Sequence, residues 1–235
     1  MIVTYLDHSG VFIELEHTCL LFDYWQGPLP EPIPGKGLLA FASHSHHDHF
    51  TREIFSYGSR WAHADYILGN DIRLSAKRKE ALHITDDAFL RLGPDRDERV
   101  LGARIRTLRS TDSGVAFLVE ADGKTIYHAG DLNLWVWDGE PEEENAAMAE
   151  AFRSEMDKLR NIPMDLAFLT LDARLEVRMG DGFDYCMRQL DIKKAVPMHS
   201  FGNYDAQTAF LVSPTSLPYR EKILLLTETV RQAEI

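Results

Sequence analysis

The sequence predicts a layered α/β protein, with two β-sheets inside and helices outside, on three observations. Short apolar runs bounded by turn residues dominate the first half of the chain. Segments of helical period alternate with apolar runs in the second half. The chain has 235 residues, 45% of them apolar, so one domain of this size can bury roughly 70% of its unfolded surface without a disulfide or metal staple. Strands that come first as a run and then alternate with helices suit such layers, although other α/β architectures share that order.

Taken in order, IVTYL, VFIEL, CLLFDY and LLAFAS read as strands separated by turn signals such as His8-Ser9-Gly10. Pro28, Pro30, Pro32 and Pro34, with Gly27, Gly35 and Gly37, set a stiff irregular loop between two of them. TREIFSYG predicts a short helix capped by Thr51, and WAHADYIL a strand with a turn. Residues 100–131 read as a β-meander, in which Ala121-Asp122-Gly123-Lys124 joins VAFLVE to TIYHAGD. An Asp-Gly pair between apolar strands signals a hairpin, because both residues enter positive φ at little cost. Met148, Phe152, Met156 and Leu159 share one face of a helix over 141–160. MDLAFLTLD then reads as a buried strand, 182–191 as a short helix, KKAVPM as a strand, YDAQTAFLV as a helix and ILLLT as the final strand. No repeat or long linker divides the chain, so residues 1–235 are expected to form a single domain.

The formal net charge of -12 disfavours tight binding to nucleic acid or anionic membrane. A small-molecule substrate is expected, and a nucleic-acid partner is not. Cys19 and Cys186 lack a C-x-x-C partner and sit in apolar runs, as buried thiols in a reducing cytoplasm do. Asp7 and His8 fall where a signal peptide would need an apolar core. No apolar run approaches the roughly 20 residues of a membrane span. A cytoplasmic protein with no membrane segment is the expectation.

The chemistry concentrates in His44-Ser45-His46-His47-Asp48-His49, directly after the apolar run 38–43. A strand ending there delivers these side chains onto a tight loop. Imidazole and carboxylate suit a borderline ion such as zinc. In H-x-H-x-D-H spacing, His44 and His46 point together from an extended segment, while Asp48 and His49 lie beyond the turn and can face a second ion. His47 reads as a spacer projecting away.

With this motif the sequence resembles the metallo-β-lactamase-fold hydrolases. The likeness extends to CLLFDYW with Asp23 at its end, to His128-Ala129-Gly130-Asp131 and to Pro197-Met198-His199, in the family's order across residues 19–202. It looks closest to the lactonase-like branch, which includes L-ascorbate 6-phosphate lactonases. The resemblance implies a four-layer αββα sandwich with one or two zinc ions at one edge of the sheets, manganese or iron being the alternatives. It implies that His44 and His46 hold the first ion, that Asp48, His49 and His199 hold the second, and that Asp131 bridges them. Asp23 would accept a hydrogen bond from a ligand imidazole. The family usually adds a third histidine to the first ion from the segment that here reads Arg109-Ser110-Thr111-Asp112-Ser113-Gly114, and no histidine occurs from 84 to 127. Asp112 is the candidate substitute and His128 the next.

Other candidates surround this set. Trp135 and Trp137 follow Asp131 and could wall a substrate pocket; core packing is the alternative. His8 could approach the ions from an N-terminal turn, and Arg174, after Asp172, could clamp a phosphate or carboxylate or make a surface ion pair. His17, His63 and His83 read as structural or exposed. The expected activity is hydrolysis of an ester, lactone or phosphoester bond by a metal-activated water, with Asp48 or Asp131 orienting it or accepting its proton. No G-x-S-x-G elbow offers a serine nucleophile. A nuclease or phosphodiesterase of the same fold, a di-iron redox protein, and a metal-binding protein with a degenerate first site are the alternatives.

Overall fold

The structure, a computed structural model, describes residues 1–82 and 84–235. The first sheet contains β1 (Ile2–Asp7), β2 (Gly10–Glu14), β3 (Thr18–Phe22), β4 (Gly37–Ala42), β5 (Ala64–Gly69) and β6 (Phe89–Leu92). The second contains β7 (Asp97–Val100), β8 (Ala103–Arg109), β9 (Val115–Ala121), β10 (Lys124–His128), β11 (Leu166–Thr170) and β12 (Ala195–Met198). A last strand, β13 (Gln232–Glu234), returns to pair with β1, so the spatial orders are β13-β1-β2-β3-β4-β5-β6 and β12-β11-β10-β9-β8-β7. The helices are α1 (Glu53–Gly58), α2 (Ala76–Ala81), α3 (Glu142–Asp157), α4 (Asp181–Gln189) and α5 (Tyr204–Val212).

Alternation along the strands of the first sheet builds two cores from one set of residues. Val3, Tyr5, Val11, Ile13, Leu20, Phe22, Leu39 and Phe41 join Ile105, Val115, Phe117 and Val119 of the second sheet in one cluster. Leu6, Phe12, Cys19, Leu21, Leu38 and Ala40 instead meet Ile54, Phe55 and Tyr57 of α1. On the other side, α3 and α4 cover the second sheet with Phe152, Met156, Phe183 and Met187. The layers therefore run helix, sheet, sheet, helix. The αββα architecture expected from the resemblance is the one present. Strands β3 and β4, buried on both faces, read as continuous apolar runs for that reason.

Strand direction brings the functional segments together. β3, β4 and β5 run parallel, and β1 shares their direction through the antiparallel β2. In the second sheet β10, β11 and β12 are parallel, and β8 shares their direction through β9. The segments after β1, β3, β4, β8, β10, β11 and β12 thus emerge at one edge. Backbone bonds from Val115 N to Ser43 O (3.2 Å) and from His199 N to His8 O (3.1 Å) tie the two sheets there.

Two local expectations change. Thr51 does not cap α1; the N-cap is Arg52, with no side-chain cap bond, and Thr51 Oγ1 accepts only a long contact from Glu53 N at 3.4 Å. ILLLT forms a single bridge, Ala195 with Ile223, and not a strand. The chain diverges from β12 after that bridge, and the closing strand is the polar β13. Residues 70–98, whose shape the sequence does not yield, hold α2, β6 and the start of β7; α2 buries no side chain and so has no apolar period to read. The Asp122-Gly123 hairpin is present, with φ of 49° and 71°.

Candidate metal centre

His44, His46, His49, Asp48, Asp131 and His199 converge at this edge, together with His8. They fall into two groups. His44 and His46 meet Asp131, and His8, Asp48 and His49 meet His199, each set offering donor atoms within 4.8 Å of one another. Asp131 stands between the groups. Its Oδ2 lies 3.3 Å from His44 Nε2, while its Oδ1 lies 3.1 Å from both His49 Nε2 and His199 Nε2. His44 Nε2 and His46 Nδ1 are 2.9 Å apart. A tetrahedral ion with arms of ~2.0–2.1 Å separates its donors by roughly 3.3 Å, close to these spacings. Asp131 Oδ1, His49 Nε2 and His199 Nε2 are buried without an aligned hydrogen bond. Buried donors without partners cost free energy unless something satisfies them, and a divalent ion does so. The donor set fits the metal that the resemblance implies.

Hydrogen bonds behind the imidazoles assign their tautomers. Asp23, fully buried, accepts from His49 Nδ1 at 2.7 Å, from the Ser43 hydroxyl at 2.7 Å and from Ser43 N at 2.7 Å. The Ser43 hydroxyl proton is spent on Asp23, so its oxygen accepts from His44 Nδ1 at 2.9 Å. Asp172 accepts from His199 Nδ1 at 2.8 Å and is itself held by Arg174. In His44, His49 and His199 the Nε2 lone pair therefore faces the centre. His8 is reversed. Its Nδ1 accepts from Phe201 N at 3.3 Å, which puts the proton of the neutral ring on Nε2, 3.4 Å from Asp48 Oδ2.

The electrostatics follow from burial and charge. Burial opposes protonation of His49, but Asp131 and Asp23 override it and push the ring up to about 10. Burial lowers His8 to about 4 despite Asp48, so it stays neutral. Burial also works against ionisation of Asp131, yet the adjacent His199, His44 and His49 rings hold its carboxyl well below the usual range. Four non-glycine residues here adopt left-handed backbone: His8 (53°), Asp23 (42°), His199 (66°) and Phe201 (46°). Such φ values cost on the order of 1 kcal/mol each and persist where surroundings over-determine them.

Two expected ligands stay outside the groups. Asp112 is exposed and lines the wall of a neighbouring cavity; the first group is closed by Asp131 and not by Asp112. His128 cannot serve, because its Nε2 donates to Ser9 O at 2.9 Å, its Nδ1 accepts from Gly130 N at 3.2 Å, and the ring stacks on Phe22. His47 is exposed, as are His17 and His63, and His83 lies outside the described residues. Trp135 donates from Nε1 to Asp131 O at 2.8 Å and packs edge-on against His199. Ser43 and Asp172 are the participants that sequence reasoning missed. Asp172 was legible in outline: it follows β11, whose parallel neighbours β10 and β12 lead to Asp131 and His199.

Trp135, Trp137, Thr111, Asp112, Arg174 and Met148 line a cavity of about 400 Å³ whose floor includes Asp131 and His199. No helix among the described residues is long and apolar enough to cross a membrane.

Comparison with known proteins bears on the family and the fold. A UPF0173 metal-dependent hydrolase of Pelotomaculum thermopropionicum is 25% identical over 209 residues, covering 85% of this chain and 84% of that protein. One from Opitutus terrae is 28% identical over 150 residues, 57% of this chain; the match spans 64% of that protein's length. The structure of Igni18, described as a metallo hydrolase from the archaeon Ignicoccus hospitalis, superposes with a TM-score of 0.60 at 16% identity, covering 100% of this chain and 98% of that one; this likeness is one of fold. The family model described as a beta-lactamase superfamily domain matches residues 2–145, more than half of the chain, and the protein belongs to that family.

Proposed function

We propose that this chain is a metal-dependent hydrolase acting on an ester, lactone or phosphoester bond of a small molecule. The observation that carries the reading is Asp131, buried between two imidazole groups with one oxygen toward each. Divalent ions held there would supply Lewis acidity and a water of lowered pKa. His44 and His46 would hold one ion, and His49, His199 and Asp48 the other, with Asp131 shared. Asp23, Ser43 and Asp172 fix the rings so that Nε2 lone pairs face inward. The neutral His8, with Nε2 3.4 Å from Asp48 Oδ2, stands beside the carboxylate that would take a proton leaving the attacking water. Zinc is the proposed ion because the donors are mostly imidazole, with manganese and iron as alternatives.

Several finer points belong to the same proposal. A carboxylate-lined cavity wall favours esters and lactones over a nucleic-acid phosphodiester, and the lactonase-like branch is consistent with that. Two buried free thiols, Cys19 and Cys186, support a cytoplasmic setting. The pairing of β13 with β1 supports one domain over 1–235.

Elemental analysis of the purified protein, beside a screen of lactones and carboxylic esters, tests the reading. Two ions per chain and turnover of at least one class are expected, with both lost in Asp131→Ala. A fully loaded protein inert on every class would refute hydrolysis; a protein that takes up no divalent ion would refute the centre itself.

A further inference from the structure

The cavity over the metal centre carries an electrostatic signature of its own. Trp135 and Trp137 stand with ring planes 7° from parallel and centroids 6.3 Å apart. Trp137 is 37% exposed, and its indole is available at the wall. Asp112, Glu140 and Glu144 line the same cavity, all three are exposed, and no cation lies in ion-pair contact with them among the described residues. The lining's one cation, Arg174, is already committed: its Nε and Nη2 donate to Asp172, and its guanidinium lies over the Phe201 ring. The floor is formed by His199 and Asp131, 2% and 4% exposed, whose Nε2 and Oδ1 have no hydrogen-bond partner. The space is thus polarised, with a metal-binding floor and a wall of indoles and free carboxylates.

Indole faces attract cations through the ring quadrupole, and nearby carboxylates add Coulomb attraction. A neutral or anionic group gains from neither. Resting on the hydrolase reading for the floor, we infer that the substrate carries a positive charge, an ammonium or quaternary ammonium group, seated against Trp137 and the Asp112–Glu140–Glu144 wall while its scissile carbonyl faces Asp131 and His199.

Two measurements separate this inference from the hydrolase reading. Acetylthiocholine and its neutral isostere 3,3-dimethylbutyl thioacetate differ only in the charge of the quaternary centre. The metal-loaded protein is expected to favour the cationic ester by about tenfold in kcat/KM, within reach of one cation–π contact reinforced by neighbouring carboxylates, and the preference should fall toward unity in Trp137→Ala and in Glu140→Gln/Glu144→Gln. Independently of turnover, tetramethylammonium chloride should change tryptophan fluorescence saturably where sodium chloride at equal ionic strength does not, and the double variant should weaken that binding. Saturable binding with neither ester cleaved would sustain the cation site and count against hydrolysis of such esters. Equal rates for both esters, or no saturable response to tetramethylammonium, would overturn the cation inference and leave the metal centre untouched.

Discussion

Asp172 accepts the Nδ1 proton of His199, and Arg174 in turn restrains Asp172. A carboxylate behind a ligating imidazole raises its basicity and fixes its orientation, and losing such a partner weakens metal affinity by roughly 10–100-fold. Asp172→Asn keeps the shape but removes the charge, so a fall in that range is expected by competition against a chromophoric chelator. Unchanged affinity would remove Asp172 from the mechanism. For His8 the tautomer argument makes a different forecast. A neutral ring whose Nδ1 accepts from Phe201 N carries its proton on Nε2 and is not a ligand, so His8→Ala should keep two ions per chain while turnover falls by about tenfold. Loss of one ion would make His8 a ligand. Protonation gives a third test. His49 in the metal-free protein stands at about 10, above its ordinary 6.5. Its contribution to stability is complete below about 6.5 and drains away as pH rises through about 10. A metal ion competes with that same proton. Binding near pH 7.5 should therefore release about one proton per chain from this group, read by calorimetry in buffers of differing ionisation enthalpy, and affinity should rise with pH. Heats independent of buffer would sink this account.

The elements carry the site by ending together. The turn after β8 is pressed so closely against the end of β4 that a Cβ at Gly114 would lie 2.1 Å from Ser43 O, and Gly114 has φ of 70°. Gly114→Ala therefore meets both a forbidden contact and backbone strain, on the order of 2 kcal/mol or more. It should lower the unfolding midpoint in urea and displace the His44 loop, reducing metal affinity as well. A midpoint within error of the parent would refute this close approach. The sequence was informative about this edge where chemistry is local. H-x-H-x-D-H, the Asp-Gly hairpin and the apolar runs each declare themselves within a few residues. What it withheld is set by distant partners. Asp112 looked like a ligand because it occupies the segment where the family usually places one, yet it is exposed and does not join the group of His44, His46 and Asp131. His128 looked available because its acceptor, Ser9 O, lies 119 residues away in sequence. The reversed tautomer of His8 depends on Phe201 N, 193 residues off. ILLLT failed for the opposite reason: its composition signals a strand, and packing that composition cannot express leaves it a single bridge.

Across the whole molecule, the donor groups span both sheets: His8 follows β1, His44 to His49 follow β4, Asp131 follows β10 and His199 follows β12. An ion bound among them cross-links the two layers at one edge, while the rest of the interface is closed by aliphatic and aromatic packing from Val3 to Val196. The metal is thus an addition to a core that holds without it, unlike a small zinc domain that unfolds on chelation. A ligand that binds only the folded state, at about a hundred times its Kd, adds about 2.7 kcal/mol. For a chain of this size each kcal/mol moves Tm by about 2–4 °C. Protein stripped with a chelator should therefore remain folded by far-ultraviolet circular dichroism and melt in one transition, as expected where β13 and β1 seal the two ends of the chain into one sheet. Restoring zinc should raise that Tm by roughly 5–10 °C. Two separate transitions would argue against one domain. An unfolded stripped protein would mean that the ion, and not the core, holds the sheets together. A Tm indifferent to zinc would mean that the histidines and Asp131 do not share an ion.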